Sequence, residues 1–571
     1  MKRVVIIFFL FLSLLITAFS DEGFHFAVLG DRLGGADDIA FERVLKEIEG
    51  LKPDMVMSVG DLRESYNGED YLQKDNLKFQ EYLKILSMDF YPIPGNHDIS
   101  QEIYRDNFKS DFDRNRYYSF DYKNAHFIII DNSTIERFED MDKEQKKWIE
   151  NDLKNNSSKE NIFVFMHKPF WANGIGEGKP DEMHELFKKY NVNAVFTGHW
   201  HQYACDTFDG ITYVLVGSSG GSFGHDNKEN ISMGMFYQFL WCKVEEDKLY
   251  FSLIKSGNIF DKNLVSIKEE LQSYEIETNH IKIGFPYIEN QKNNKREAVL
   301  TIKNINDYPL KTSVKWNSEK NWTITPKEHN IELKPKQEKS FKYIMTNTGK
   351  FYPLPEISFI YPFSEDKHID FASIPIAMKK YIVPEVKKSI NINGKFDSND
   401  EWPGNPIISF SNYYGEAPEI DKTEVYICKD EDYLYLGVMC FEKEMGKIVE
   451  SCNTNDEQVY NDDCIGMLIE YDKDKIYQFY INPKGVIWDQ LIEKSSGIGD
   501  VEFDINIKSS VKKYNDKWVV ELQIPLKEIN AENSKNLRVN IRRKQQRTGD
   551  GVIWSTNWNY FTDGYGELIF K

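Results

Sequence analysis

Ala194-Val195-Phe196-Thr197-Gly198-His199-Trp200-His201 is the stretch on which the first half of the chain turns. Its first four residues read as a buried strand, and the glycine lets the backbone turn sharply where the strand ends. Two histidines one residue apart then aim their imidazoles into the space beyond. Taken alone, the pair also reads as two half-buried strand histidines. Four other apolar runs end in the same way, however. Phe24 to Gly30 leads into Asp31, and Met55 to Gly60 into Asp61. Phe90 to Gly95 leads into Asn96-His97-Asp98, and Ile162 to Met166 into His167.

Singly, each of these is weak. Asp31 or Asp61 could cap a helix, and Gly95-Asn96 could be an ordinary turn. Together they place Asp, Asp, Asn, His and His-x-His at five strand ends, where ligands collect in sheets with helical crossovers. Helical spacing lies between the strands: Phe41, Val44, Leu45 and Ile48; then Trp148, Ile149 and Leu153; then Met183, Leu186, Phe187 and Tyr190. Mixed carboxylate, amide and imidazole donors suit Mn, Zn or Fe better than Ca or Mg.

This set of motifs resembles the calcineurin-like metallophosphoesterases over about residues 24–262. The resemblance implies two packed β-sheets flanked by helices, an α/β domain, with two metal ions at the strand ends. It implies that Asp61 bridges the ions, that Asp31 and His201 hold one, and that Asn96, His167 and His199 hold the other. His97 would be the general acid, oriented by Asp98. Chemistry supports such a site independently. Two cations neutralise phosphate oxygens, lower the pKa of a water and clamp the entering and leaving oxygens in line. One departure stands out: the family has Asp-x-His at the first motif, and here it is Asp31-Arg32-Leu33. Leu33 cannot ligate. Arg32 could contact phosphate or be an ordinary surface arginine, and His225 could replace the missing ligand or be a solvated loop residue. His25, His126 and His184 read as structural.

The 571 residues exceed one core and allow roughly three or four domains. A hydrophobic content of 41% supports globular domains, and a net charge of −20 argues against a nucleic-acid partner. Met1-Lys2-Arg3 followed by apolar Val4 to Ala18 reads as a signal peptide over 1–20, cleaved before Asp21. The apolar run is short for a membrane span, and none is expected after cleavage. The protein is thus expected to be exported: periplasmic, at the cell surface or extracellular. Its six cysteines lack C-x-x-C spacing, and the sequence leaves their pairing open.

After the metallophosphoesterase domain (21–262), 263–284 reads as a polar linker, helix-capable from Asn263 to about Asn279. Short alternating strands over 285–378 suggest an immunoglobulin-like β-sandwich spacer. Residues 380–571 are again all-β and resemble the family-nine carbohydrate-binding modules. The matching pieces are Ile392-Asn393-Gly394, Glu401-Trp402, Asp432 to Val438, Asn482-Pro483-Lys484-Gly485, Trp518 to Pro525 and Tyr565 to Phe570. That resemblance implies a carbohydrate ligand, with Trp554 and Trp558 as stacking faces and Arg542 or Arg543 beside them. Core packing would explain the same tryptophans. The expectation is an exported two-metal phosphoesterase, tethered to glycan, that acts on a phosphomonoester or phosphodiester. The alternative is a carbohydrate-binding surface protein whose phosphatase fold has decayed, as Leu33 would allow. Glycosidase activity has no paired carboxylates to support it.

Overall fold

The computed structural model describes residues 23–66, 69–100, 104–223, 228–284, 288–289, 295–348, 351–364, 366–374, 379–395, 402–412, 415, 417–494, 499–548, 550–555 and 564–570. The expected leader, His225 and Trp558 lie outside the described residues. The chain divides at Glu277–Thr278 into two compact units, with Tyr361–Asp370 grouping with the first.

The first unit is built on two six-stranded sheets. The strands are β1 (Phe24–Leu29), β2 (Met55–Ser58), β3 (Asp89–Tyr91), β4 (Tyr118–Tyr122), β5 (Ala125–Ile129), β6 (Asn161–Phe165), β7 (Ala194–Thr197), β8 (Ala204–Phe208), β9 (Ile211–Leu215), β10 (Phe239–Glu245), β11 (Lys248–Lys255) and β12 (Asn258–Phe260). One sheet runs β12-β11-β10-β1-β2-β3, the other β4-β5-β6-β7-β9-β8. β1, β2 and β3 are parallel, as are β5, β6, β7 and β9, so their carboxyl ends share one edge of each sheet.

The sheets face each other across a phenylalanine-rich core. Phe26 of β1 meets Phe127 and Phe163 of the other sheet at ring distances of 5.6 and 5.8 Å. Each such ring buried contributes about 1.5–3 kcal/mol, which fixes the separation of the two sets of strand ends. On the outer face, Asp37 opens the helix Asp38–Leu51 by accepting from the Ile39 and Ala40 amides, both at 3.0 Å. The expected stripe of Phe41, Val44, Leu45 and Ile48 is its buried side.

The helix-capable stretch after residue 262 is helical. Residues Ile267–Glu275 form a helix opened by a Ser266–Glu269 capping box. The Ile267 amide donates to Asp206 at 2.9 Å, and Gln202 donates to Glu270 at 2.9 Å. Its polar composition hides a narrow buried side, Ile267 with Glu270 and Ser273.

The second unit is all-β. Two four-stranded sheets come first, joined across their interior by Trp316 and Tyr343 at 5.3 Å. The C-terminal part stacks a four-stranded sheet (Thr423–Lys429, Tyr433–Phe441, Lys517–Pro525, Lys508–Lys513) on a nine-stranded one. Alternate residues such as Leu436, Met467, Phe479, Trp518 and Ile541 fill the space between. The Ile392-Asn393-Gly394 turn is held by buried Glu521, whose carboxylate accepts from the Asn393 and Gly394 amides at 2.8 and 2.7 Å. All six cysteines are buried free thiols.

Candidate metal centre

Five strand ends bring Asp31, Asp61, Asn96, His167, His199 and His201 together. Asp31 follows β1; its Oδ2 accepts the His199 amide at 2.8 Å and lies 3.3 Å from His201 Nε2. Asp61 follows β2 with a positive φ of 54°; its Oδ1 accepts the His97 amide at 2.8 Å and stands 3.3 Å from His167 Nε2. Asn96 Oδ1 is 2.8 Å from the same Nε2, and His199 Nδ1 is 3.2 Å from it.

The backbone is shaped for this convergence. His199 and His201 hold φ values of 77° and 60°, a region that costs a non-glycine residue and is found at functional sites. A Cβ on Gly95 would stand 2.2 Å from Asp61 Oδ1, and one on Gly198 2.3 Å from Asp31 Oδ1. Only glycine allows the chain so near either carboxylate.

Tautomers are set from behind. His167 Nδ1 donates to the Val59 carbonyl at 2.7 Å, and His201 Nδ1 to the Ser222 carbonyl at 2.7 Å. Each ring therefore turns its Nε2 toward the carboxylates. Two groups of three emerge, Asp61–His167–His199 and Asp31–Asp61–His201, with ligand atoms within 4.8 Å of one another and Asp61 common to both. Among the described residues no further His, Cys, Asp or Glu joins either group.

The donors fit a cation by chemistry and by charge. Asp31 is fully buried, and its Oδ1 has no hydrogen-bond donor, a state that a metal ion satisfies. Two buried carboxylates side by side demand positive charge, and the histidines answer that demand. Burial works against His167, but Asp61 outweighs it and pushes the ring up to about 9. Burial likewise opposes ionisation of Asp61, yet His167 and His97 hold it well below the usual carboxylate range. His199 is pushed down to about 4 by burial and by the neighbouring His167 charge.

His97 sits at the rim with its Nε2 4.0 Å from Asp61 Oδ2. The expectation that Asp98 orients it is corrected here. Asp98 is buried and points into the backbone, accepting from Leu62, Arg63 and Gly95 amides at 2.9–3.2 Å. Burial lifts its carboxyl to about 6. The group on His97 Nδ1 is Glu64 Oε2 at 2.9 Å. Burial opposes protonation of His97, but the Glu64 hydrogen bond and the nearby carboxylates raise it above 6.5. Glu64 stands three residues after Asp61, and only that spacing hinted at it. Tyr66 packs edge-on against the His97 ring at 5.0 Å, and its hydroxyl accepts from Asn96 Nδ2 at 3.3 Å.

Arg32 does not face the site. Its guanidinium is buried, paired with both oxygens of Asp75 at 2.8 and 2.9 Å and with the Leu62 carbonyl at 2.8 Å. Next to it, Leu33 is buried. His126 bridges Asp121 and Asp152, His184 meets the Tyr213 hydroxyl, and His25 stacks on Trp241, all away from the metal cluster.

Of the expected sugar-facing residues, Trp554, Arg542 and Arg543 are among those the structure describes. Trp554 is 3% exposed in the sandwich core, so close to Gly566 that a Cβ there would meet its ring at 2.3 Å. A ring consumed by the core offers no face to a sugar. Arg542 lies on the sheet, Nη1 3.3 Å from the Tyr480 hydroxyl, and Tyr480 packs on Trp488 at 5.8 Å. Arg543 is buried and donates to the Asp421, Lys422 and Phe441 carbonyls.

A family model described as calcineurin-like phosphoesterase matches residues 16–203. The chain is similar to a probable glycerophosphodiester phosphodiesterase of Arcobacter nitrofigilis, 28% identical over 180 residues, covering 29% of this chain and 63% of that protein. It is similar to a serine/threonine-protein phosphatase of Bos taurus, 24% identical over 206 residues, covering 32% of this chain and 66% of that one. The chain thus spans just under two thirds of the length of these relatives. Among solved structures it is similar to a family-nine carbohydrate-binding module of Caldicellulosiruptor kristjanssonii in complex with cellotriose. That match has 15% identity and a TM-score of 0.24, covering 34% of this chain and 94% of the other. Among the described residues no helix is long and apolar enough to cross a membrane.

Proposed function

We propose that this chain is an exported, metal-dependent phosphoesterase that hydrolyses a phosphomonoester or phosphodiester. The observation that carries the reading is the meeting of six donors, with Asp61 belonging to both ligand groups. In this reading Asp31, Asp61 and His201 hold one ion; Asp61, Asn96, His167 and His199 hold the other. Two cations of the Mn, Zn or Fe type would neutralise phosphoryl oxygens and lower the pKa of the attacking water.

The remaining work belongs to the chain. His97, kept protonated by Glu64, delivers its Nε2 proton to the departing oxygen while Nδ1–H stays on Glu64 Oε2. Gly95 and Gly198 hold the two carboxylates at close range, so little reorganisation is left for the reaction. The test compares wild type with Asp61→Asn and His97→Ala on an aryl phosphate and a bis-aryl phosphate, each loaded with Mn, Zn or Fe. Wild type should turn over, and both variants should be strongly impaired. Three equally inert proteins under every metal would end the proposal.

We further propose that the intermediate sandwich is an immunoglobulin-like spacer and that the C-terminal sandwich binds carbohydrate through the sheet face bearing Arg542, Tyr480 and Trp488. Export rests on Met1-Lys2-Arg3 and the apolar run behind it. A panel of mono- and oligosaccharides titrated against wild type and Arg542→Ala tests the sugar claim; a panel that perturbs neither protein rejects it. Leu33 favours a second reading, a carbohydrate-binding surface protein with a non-catalytic phosphatase fold. Elemental analysis separates the two, since that protein would carry no stoichiometric metal.

A further inference from the structure

Three cationic residues stand within two positions of a candidate ligand in the chain, Arg32, Arg63 and Lys168, and two are committed elsewhere. Arg32 is bidentate on Asp75, and Arg63 pairs with Asp111 while lying over the Phe112 ring at 4.6 Å. The third, Lys168, directly follows the ligand His167. Its peptide is pinned on both sides: Asn132 Oδ1 accepts the His167 and Lys168 amides, both at 3.0 Å, and Asn132 Nδ2 donates to the Lys168 carbonyl at 2.8 Å. Lys168 is 6% exposed, yet its ammonium is paired with Glu136, whose side chain is 77% exposed.

A buried ammonium needs an anion. A carboxylate reaching in from solvent is a weak tenant, because water screens it and its free side chain loses entropy when held. A phosphate oxygen in the same position brings more charge and forms a stronger, charge-assisted hydrogen bond. We infer that Lys168 is the protein's own contact to a substrate phosphate oxygen, and that Glu136 is the counter-ion which the phosphate displaces. The inference deepens the phosphoesterase reading and rests on it for the substrate class. No bond is made or broken; one ion pair exchanges for another as Glu136 turns to water.

Because that contact exists before and during the reaction, its loss falls on KM more than on kcat. The experiment measures inorganic phosphate binding by calorimetry, and aryl phosphate hydrolysis, on the metal-loaded full chain. The proteins are wild type, Lys168→Met, Lys168→Arg and Glu136→Gln, with metal content determined for each. Lys168→Met should weaken phosphate binding and raise KM by about 10- to 100-fold, the range for a hydrogen bond to a charged group. Lys168→Arg should recover most of the loss, and Glu136→Gln should tighten phosphate binding. Metal content should not change. If Lys168→Met matches wild type in both Kd and KM, or loses affinity only in step with lost metal, the inference is overturned. If wild type binds no phosphate, it is overturned as well. If no protein hydrolyses esters but phosphate weakens in Lys168→Met and tightens in Glu136→Gln, the anion contact stands and the phosphoesterase reading fails.

Discussion

The strand-end cluster of the first unit and the sheet face of the C-terminal sandwich invite comparison, because both were candidates for ligand binding. In the first unit every expected donor sits two to five residues beyond a strand that has at least one parallel neighbour. Topology alone then brings the donors to one edge. In the C-terminal sandwich the candidates lie along or beside antiparallel strands, where each residue faces either the core or the outside. A one-residue difference decides between the two, and nothing in the local sequence marks it. Trp554 falls on the core side, and Arg542 does not.

The largest expected effect breaks the first half of that comparison. Asp61→Asn removes the charge and replaces one oxygen of the only carboxylate shared by both ligand groups. It should cost at least about 1,000-fold in kcat/KM and lower the bound metal in the same preparation. An Asp61→Asn protein with full metal content and more than a tenth of wild-type activity would show that the two ligand groups do not form a functional pair. The second effect tests the other half. Trp554→Ala should destabilise the second unit by about 3–5 kcal/mol, the range for emptying a core aromatic site. In denaturant melts its loss should appear with phosphoesterase activity intact at low temperature. If Trp554→Ala leaves stability untouched and abolishes sugar binding instead, the assignment of this ring to the core is wrong.

The same contrast explains what the sequence conveyed. The five strand-end motifs, the helix stripe of Phe41, Val44, Leu45 and Ile48 and the strand pieces Asp432 to Val438 and Trp518 to Pro525 were legible, because each is a patterned apolar run with a polar break. The helical capacity of the linker was legible, but its packing was not, because its buried side includes Glu270 and Ser273, which a hydrophobicity pattern counts as exposed. Arg32 was misplaced because Asp75, its partner, lies 43 residues further on. Asp98 was misread because a carboxylate next to a catalytic-type histidine can serve its own backbone instead. Glu64 and Asp98 therefore supply a sharper test. Glu64→Gln should lower kcat by about 10- to 100-fold, as expected when a general acid loses its partner, with little change in melting temperature. Asp98→Asn should instead act mainly on stability, since three amides and Arg63 depend on that carboxylate. If the two variants exchange these phenotypes, Asp98 is the orienting group after all.

The smallest effect compares two histidines in similar surroundings. His167 in the cluster and His126 on β5 are both enclosed by carboxylates, but His126 uses both ring nitrogens on protein, Nδ1 to Asp121 and Nε2 to Asp152, both at 2.7 Å. A ring that donates twice must be a cation. Burial works against that charge, and the two carboxylates overcome it, raising the ring above its ordinary 6.5. A group whose folded value is raised contributes fully below its unfolded value and loses that contribution as pH rises through the folded one. Wild type should therefore exceed His126→Gln in stability by about 1.5–3 kcal/mol at pH 5.5, and the gap should narrow steadily above neutrality. Urea melts of the two proteins from pH 5.5 to 9 measure it. A gap that stays constant across the range would mean that His126 is neutral and merely fills space. A gap that widens with pH would mean that the carboxylates do not hold a proton there at all. Either result would separate the scaffold histidine from the cluster histidines by packing rather than by charge.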